Sequence, residues 1–445
     1  MAEKRSDLTQ RIIVLECLLE VWENEAFLTA VLSQALTKYD HLEPEKKNFI
    51  RQLADGCVRM QVRLDYAINT ISKTKTDKMK PVIRAILRMG AYQLLYMPRI
   101  PSFSAVNESV ALARKKGFAG LSGFVNGVLR NLDRKKDQIP WPKREEDLYE
   151  YLSIHYSVPK WLVSRIEGEL PDEEKERLED VLSALTKKRP LCMRLSRRMS
   201  QEEKDAFLAS LSERGIDIRP SEELAYAYFL EGVDGIESLP GYGKGKFYLQ
   251  DIGSMLVTEN AGIQPGDFVV DVCAAPGGKA LHAAELLEGT GGHVLARDLS
   301  ERRTERLKQN IRQSGLTDVE AGVFDATVRD ENLIGKADVL IADLPCSGLG
   351  VMGRKSDIKY HISEEKIGEL QILQRRILDT IWEYVKCGGI LLYATCTMTR
   401  AENEENRDYI LSHFPFELEK ELRLTPGLTE CDGFYLARFR RKEEA

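Results

Sequence analysis

The 445-residue sequence contains eight cysteines, and no two of them have the C-x-x-C spacing. A disulfide framework or a zinc site is therefore not expected, and reduced thiols are the default. No uninterrupted apolar run approaches the roughly 18 residues that a membrane-spanning helix needs. The first ten residues, MAEKRSDLTQ, lack the apolar core of a secretion signal. These absences predict a cytoplasmic protein with no membrane partner and no metal centre.

The composition is that of a globular protein, with 43% apolar and 30% charged residues. The net charge of −6 is unevenly distributed, because residues 1–140 hold 23 Lys and Arg against 15 Asp and Glu. That segment carries about +8, and the remainder therefore about −14. A basic end on an acidic chain suggests a polyanionic partner. Charge alone fits an ordinary helix surface equally well.

The periodicity of apolar residues divides the chain into three predicted domains. Residues 1–140 contain repeated helical patterns such as LTQRIIVLECLLEVW and predict an all-helical domain. The segment DRKKDQIPWPKREED is rich in proline and charge, as linkers are. In residues 145–248, the short strand patterns LCMRLS and YAYFLEG flank a helical pattern, which predicts a small α+β module.

Residues 249–445 alternate strand and helix patterns, and this alternation predicts an α/β domain. The strand patterns are DFVVDVCA, HVLARD, ADVLIAD and GGILLYATC. Such alternation is typical of a parallel sheet that is covered by helices on both faces. Ligands of these sheets bind beyond the carboxyl ends of the strands, where this chain places several acids and thiols.

The stretch VVDVCAAPGGKALHAAEL predicts a strand, a glycine turn and a helix. It lacks both G-x-G-x-x-G and the Walker spacing, which disfavours a pyrophosphate ligand. Gly277 and Gly278 allow a ligand to approach the backbone at a helix N-terminus. Asp298 ends the next strand and could accept both ribose hydroxyls, and Asp325 follows the third strand and could accept from an adenine amine. A nucleoside held by two acids without a phosphate cradle indicates S-adenosyl-L-methionine.

Two cysteines follow neighbouring strand patterns, Cys346 in DLPCSGLG and Cys396 in ATCTMTRAENE. Methyl transfer to C5 of a pyrimidine needs a thiolate, because addition of sulfur to C6 makes C5 nucleophilic. Asp343 lies three residues before Cys346 and could support N3 of the base. From these residues alone, either thiol could be the one that attacks.

The motifs DVCAAPGGK, ADLPCSG and ATCTMTRAENE together resemble RNA 5-methylcytosine methyltransferases of the NOL1/NOP2/Sun group. HYSVPKWLV, YLQDIGSMLV and DGFYLARFRR also match that pattern, and the helical N-terminus resembles a NusB-type RNA-binding domain. The resemblance implies a Rossmann-like catalytic domain that uses S-adenosylmethionine. It also implies that the substrate is a cytosine of small-subunit ribosomal RNA, free or partly assembled, and it indicates no protein partner.

The resemblance further implies a role for each candidate residue. Cys396 would be the nucleophile, Cys346 would assist product release, and Asp343 would recognise and activate the base. Lys279 would lie near the catalytic pocket, although a solvated lysine at a helix start fits as well. The residues implied for S-adenosylmethionine are Cys273, Ala274, Ala275, Pro276, Gly277, Gly278, Lys279, Asp298, Asp325 and Asp343.

Two alternatives remain open at this point. A DNA cytosine methyltransferase would use Cys346 as its nucleophile, but it would be expected to carry a large target-recognition insertion. A non-catalytic RNA-binding or antitermination factor would depend on the NusB-like part alone. The intact acids and thiols of the α/β part argue against the second alternative.

Overall fold

The computed structural model describes residues 2–233 and 235–443, with side chains from residue 8 onward. The N-terminal third is helical throughout. Two of its helices begin with a proline at the first position, where the missing N–H has no intrahelical partner. The first nine helices are α1 (Ala2–Glu23), α2 (Leu28–Lys38), α3 (Pro44–Arg59), α4 (Gln61–Ile71), α5 (Pro81–Tyr96), α6 (Ser102–Lys115), α7 (Ser122–Lys135), α8 (Leu148–Tyr156) and α9 (Lys160–Glu169).

The rest of the chain mixes strands and helices. Its helices are α10 (Leu178–Thr186), α11 (Gln201–Ser212), α12 (Ile252–Glu259), α13 (Gly278–Leu287), α14 (Glu301–Ser314), α15 (Ile358–His361), α16 (Glu364–Ile381) and α17 (Glu404–His413). Its strands are β1 (Leu191–Leu195), β2 (Asp217–Pro220), β3 (Ala227–Glu231), β4 (Phe247–Leu249), β5 (Phe268–Asp271), β6 (His293–Asp298), β7 (Val319–Val323), β8 (Ala337–Asp343), β9 (Val385–Thr395), β10 (Phe416–Leu424) and β11 (Phe434–Arg441). The helix and strand patterns found in the sequence are confirmed.

The chain forms two compact units, and the first contains residues 1–168 together with residues 354–361. The late segment is built into the helical unit by buried polar contacts. The Asp357 carboxylate accepts the Leu28 N–H, which opens α2, at 2.6 Å. Lys359 donates to the carbonyls of Arg59 and Ser157 at 2.7 and 2.5 Å. The helical unit is therefore discontinuous in sequence.

The second unit, residues 169–353 and 362–445, contains two sheets. The smaller sheet is antiparallel with the strand order β2-β3-β1-β4. The larger has the order β10-β11-β9-β8-β5-β6-β7. The division of the chain into three domains stays a prediction.

The larger sheet is covered on both faces, as the sequence predicts. Neighbouring residues of one strand belong to different apolar clusters, Val269 to one and Val270 to the other. The predicted parallel sheet consists of β5 to β9. β11 and β10 add an antiparallel edge, a common addition to sheets of this kind.

No helix in the described residues is long and apolar enough to cross a membrane. The same residues contain no group of three or more His, Cys, Asp and Glu side chains placed to hold a metal ion.

Candidate active site

The site is built at the carboxyl ends of five parallel strands. Asp271 ends β5, Asp298 ends β6 and Asp343 ends β8. Asp325 follows β7, and Cys396 follows β9 directly. Because β9, β8, β5, β6 and β7 are consecutive in the sheet, these side chains lie along one edge, as the sequence predicts.

The turn between β5 and α13 brings backbone close to the next helix of the sheet. Gly277 has a φ of 113°, and a Cβ at this position would lie 2.7 Å from Leu307 Cδ1. Only glycine fits such a backbone without strain. The turn is fixed from α14, since Asn310 donates to the Pro276 carbonyl at 2.8 Å and Arg303 to the Ala275 carbonyl at 2.6 Å. This turn is a rigid platform at the start of α13.

Two acids lie beside this turn along the sheet edge, at the ends of β6 and β7. Asp298 is buried, and it accepts the Ser300 N–H at 3.0 Å and the Ala275 N–H at 3.3 Å. It therefore orders the glycine turn itself. One oxygen of Asp325 accepts the N–H and the hydroxyl of Thr327, and these bonds hold the pKa of Asp325 below its usual value. The other oxygen accepts no hydrogen bond within the described part of the chain.

Asp271 supplies the clearest sign that a polar ligand belongs here. Its side chain is buried, and its Oδ2 has no hydrogen-bond partner among the described residues. Burial, opposed by the nearby Lys279 cation, raises the pKa of Asp271 to about 7. A buried oxygen of this kind is unfavourable unless it is hydrogen-bonded. The residues therefore fit a ligand with donor groups, such as an amino-acid or nucleoside moiety.

The two candidate thiols meet at this edge. We call residues 343–350 the Cys346 turn and residues 395–403 the Cys396 turn. Cys346 Sγ and Cys396 Sγ lie 3.3 Å apart, and both side chains are partly exposed. The hydroxyls of Ser347 and Thr397, the residues that follow each cysteine, are 2.6 Å apart. The register of β8 and β9 thus continues past the strand ends and pairs the thiols.

Lys279 lies beside the thiols and bonds an acid of the Cys346 turn. Its Nζ is 2.6 Å from Asp343 Oδ2, and the lysine is 9% exposed whereas the Asp343 side chain is 26% exposed. Burial alone would lower the pKa of Lys279, but Asp343, with smaller contributions from Asp271 and Cys396, outweighs burial, and the pKa is raised. The ammonium also interacts electrostatically with Cys396. Lys279 is thus a buried cation in the site, which excludes the solvated-lysine interpretation.

The three thiols of this region differ in their surroundings. Burial and the nearby Asp271 raise the pKa of Cys273, which makes it a poor nucleophile. The hydrogen bond with Cys396 and burial raise the pKa of Cys346 well above its ordinary value. Cys396 interacts electrostatically with the Lys279 cation.

Sequence reasoning missed the buried polar residues behind the thiols. Four of them, Gln374, Thr399, Glu402 and Asn406, are fully buried, and Ser347 is nearly so. Glu402 lies within the motif ATCTMTRAENE, which was the available signal. A glutamate is rarely buried without a partner, so the sequence alone favours an exposed position.

The fold and the site together define a Rossmann-like, S-adenosylmethionine-dependent methyltransferase. A model of the family described as 16S rRNA methyltransferase RsmB/F matches residues 261–440, and a model of the NusB family matches residues 8–134. The chain belongs to the RsmB/F family of 16S rRNA methyltransferases and includes a NusB-family region.

Relatives match along almost the whole chain. The probable ribosomal RNA small subunit methyltransferase B of Bacillus subtilis is 31% identical over 454 residues, which cover 97% of this chain and 98% of that protein. Ribosomal RNA small subunit methyltransferase B of Escherichia coli O1:K1 is 31% identical over 414 residues, or 89% and 91% of the two chains. The crystal structure of PH0851 matches the fold with a TM-score of 0.79 over 97% of both chains, at 24% identity.

Proposed function

We propose that this protein methylates C5 of a cytosine in small-subunit ribosomal RNA through a covalent adduct between Cys396 and C6 of the base. The observation that carries the proposal is the pair of thiols, 3.3 Å apart, beside the Lys279–Asp343 ion pair. A methyltransferase acting on an amine or a hydroxyl needs a base but no thiol. Attack on a pyrimidine ring needs the thiol to make C5 reactive.

The cofactor lies along the strand ends in this proposal. S-adenosylmethionine, when bound, supplies an electrophilic methyl group. The backbone of the glycine turn, residues 273–279, would contact it, and Asp298 would accept from the ribose. Asp325, with one oxygen free to accept, would bind the adenine amine. The unpartnered Oδ2 of Asp271 would accept from a further donor of the cofactor.

The thiol chemistry begins with Cys396. Its thiolate adds to C6 of a cytosine that has left its stack, and the Lys279 cation favours the ionised sulfur. Asp343, once it has taken up a proton, donates it to N3 of the base, so that negative charge does not accumulate on the ring. C5 then carries the electron density that accepts the methyl group.

Release reverses the addition. Loss of the C5 proton to a base and cleavage of the bond between C6 and Cys396 sulfur restore the aromatic ring. Cys346 lies 3.3 Å from the departing sulfur and assists this step. Because burial and the neighbouring thiol raise its pKa, Cys346 keeps its proton at neutral pH and can protonate the leaving thiolate.

The RNA is held in part by the helical unit, whose NusB-family region lies in the basic segment of the chain. Neutralisation of phosphates by lysine and arginine provides affinity without reading sequence. Such binding is consistent with a cytoplasmic enzyme that acts on free or partly assembled small-subunit RNA.

The proposal is tested with the purified full-length protein, labelled S-adenosylmethionine and small-subunit ribosomal RNA. Nucleoside analysis by mass spectrometry should find 5-methylcytidine, and bisulfite sequencing should place it at a defined position. Duplex DNA of the same sequence is the control substrate. Methyl groups at any other atom, or preferential methylation of the DNA, would overturn the proposal.

A further inference from the structure

Glu402 lies at the centre of the buried polar cluster behind the two thiols. Its Oε1 accepts the Ser347 N–H at 2.8 Å and the Gln374 amide at 3.1 Å. Its Oε2 accepts the hydroxyls of Ser347 and Thr399 at 2.5 and 2.7 Å. A buried carboxylate needs such donors, because its removal from water is otherwise strongly unfavourable. All of these donors belong to residues of the thiol turns or to α16.

These bonds fix the backbone on both sides of Cys346. Ser347 follows the cysteine and donates to Glu402 directly. Pro345 precedes the cysteine, and its carbonyl accepts from the amide of Gln374 at 2.9 Å, the same amide that donates to Glu402. Since Glu402 belongs to the Cys396 turn, its contacts join the two turns. Glu402 thus acts together with the Ser347–Thr397 hydroxyl pair and the Gly350 N–H bond to the Cys396 carbonyl in holding the two sulfurs 3.3 Å apart.

Charged groups act on both thiols. Glu402 and Asp343 are negative groups that act on Cys346 and raise its pKa, after the larger effects of the Cys396 hydrogen bond and of burial. Lys279 is the positive group that interacts with Cys396. A negative charge disfavours a thiolate nearby, and a positive charge favours one.

Two further titratable groups lie near the pair. Asp271 interacts with Lys279, and burial raises its pKa toward neutrality, which weakens its charge at neutral pH. Tyr393 donates its hydroxyl to the Glu402 carbonyl, and burial raises its pKa far above neutrality. Tyr393 is therefore uncharged.

We infer that Glu402 is a positioning residue for the thiol pair: it holds the Cys346 turn against the Cys396 turn, and its charge keeps the proton on Cys346. Cys396 is then the thiol that ionises and attacks. The inference rests on the proposed function, because it explains how one of two adjacent thiols becomes the nucleophile. It separates into a geometric part and an electrostatic part.

Two substitutions separate these parts. In Glu402→Gln, the amide oxygen can still accept from the Ser347 N–H and Gln374, and the amide NH₂ can donate to the two hydroxyls. The bonding pattern persists while the charge is lost. Ser347→Ala keeps the charge but removes the hydroxyl that bonds both Glu402 and Thr397.

Glu405→Gln is the matched control. It removes an equal charge three residues away, from a side chain that is 57% exposed. Its contacts are with Gln371 and Arg375, outside both thiol turns.

The electrostatic part is read from alkylation of the full-length protein by iodoacetamide, followed by peptide mass spectrometry across neutral and alkaline pH. We expect Cys396 to react faster than Cys346 in the unchanged protein, since the thiolate is the reactive form. Glu402→Gln should reduce that preference about tenfold, the change that about one pKa unit produces. Glu405→Gln should leave it unchanged.

The geometric part is read from the rate of a single turnover on the RNA. Ser347→Ala should slow methyl transfer on the order of 10-fold to 100-fold, the range that misplacement of a reacting group produces. It should retain the alkylation preference for Cys396. Calorimetric titration with S-adenosylmethionine checks that each variant is folded.

Each outcome decides one part. Faster alkylation of Cys346 in the unchanged protein overturns the electrostatic part, even if Glu402→Gln does not fold. The electrostatic part is also overturned if the alkylation preference for Cys396 is the same in Glu402→Gln and Glu405→Gln. A Ser347→Ala protein as fast as Glu405→Gln overturns the geometric part. The proposed function fails separately, if a Cys396→Ala protein still methylates the RNA.

Discussion

The Cys346 turn and the Cys396 turn have the same place in the fold and different electrostatic surroundings. Each follows a central parallel strand, each carries a partly exposed thiol, and a hydroxyl residue follows each cysteine. Negative groups act on Cys346, whereas the Lys279 cation interacts with Cys396. We therefore expect the two thiols to differ in their readiness to ionise.

The comparison teaches that the residue type alone does not determine the role of a cysteine in this site. Either motif could carry a nucleophile when it is seen in isolation. The difference arises from side chains that other segments contribute, Lys279 from α13 and Glu402 from beyond β9. We therefore expect substitutions of the thiols and of these neighbouring groups to have effects of different sizes, which are given below from the largest to the smallest.

Loss of the Cys396 thiol should give the largest effect. We expect Cys396→Ala to reduce single-turnover methyl transfer by roughly 10³-fold or more, the scale of removing a covalent catalyst. No enzyme–RNA complex should survive a denaturing gel. Cys387→Ala is the matched control, since Cys387 is an exposed cysteine of β9 outside the site. A complex that persists in Cys396→Ala would contradict the assignment.

Loss of the Cys346 thiol should affect a later step. Cys346→Ala should complete a first methyl transfer at a rate within a few-fold of normal. Multiple turnover should fall by about 10²-fold, a typical contribution of general acid–base catalysis. The methylated RNA should remain attached to Cys396 and migrate with the protein on a denaturing gel. Normal multiple turnover by Cys346→Ala would contradict the proposed difference in function between the two turns.

Neutralising the acid of the Cys346 turn should have a smaller effect on methyl transfer. Asp343→Asn removes the support for N3, and we expect a loss of about 10²-fold. It also removes the carboxylate that bonds the buried Lys279 and leaves the weaker attraction of Asp271, so that burial, the largest effect, should bring the pKa of Lys279 below its unfolded value. The unfolded state then binds more protons at alkaline pH, and stability should rise with pH.

Thermal unfolding of both proteins across alkaline pH measures this effect. In the unchanged protein the pKa of Lys279 is raised, so stability should change with pH in the opposite direction. Its contribution to stability should be present at neutral pH and decline as pH rises through the folded pKa. Parallel curves for the two proteins would show that the ion pair does not control the charge of Lys279.

Asp271, on the strand beside the Cys346 turn, should give the smallest effect. Its pKa of about 7 lies above the ordinary value of an aspartate, so the folded state binds more protons between about pH 4 and pH 7. Without cofactor, stability should fall as pH rises through that range. Asp271→Asn should remove the slope and stabilise the protein above pH 7 by roughly 1–3 kcal/mol.

Chemical denaturation at several pH values measures the slope. Glu320→Gln, on an exposed position of β7, is the control for loss of one negative charge. A steep slope that persists in Asp271→Asn would show that another group titrates in this range.

Much of the site could be predicted from the sequence, because its parts lie in short motifs with a defined local geometry. Buried apolar runs predict central strands, and the glycines after β5 predict a close turn. Acids and thiols that follow such runs must share one edge of a parallel sheet. The roles of individual residues stay proposals.

The antiparallel edge could not be predicted in the same way. β10 has the sequence FELEKELRL, and most of its side chains are exposed. Such a polar strand has no strong apolar pattern, and its pairing with β11 is set by position in the sheet. The buried position of Glu402 could not be predicted for a related reason, because its hydrogen-bond donors Ser347 and Gln374 come from segments distant in the sequence.

The sequence by itself determined the class of this protein, its cofactor and the presence of two thiols at neighbouring strand ends, because short-range patterns encode strands, turns and helices. Only the tertiary structure decided which charged groups act on each thiol, because the hydrogen bonds between the two turns join residues about fifty positions apart. It also decided that residues 354–361, soon after the Cys346 turn in the chain, belong to the helical unit. The physical reason is that the buried polar groups Asp357 and Lys359 find partners there.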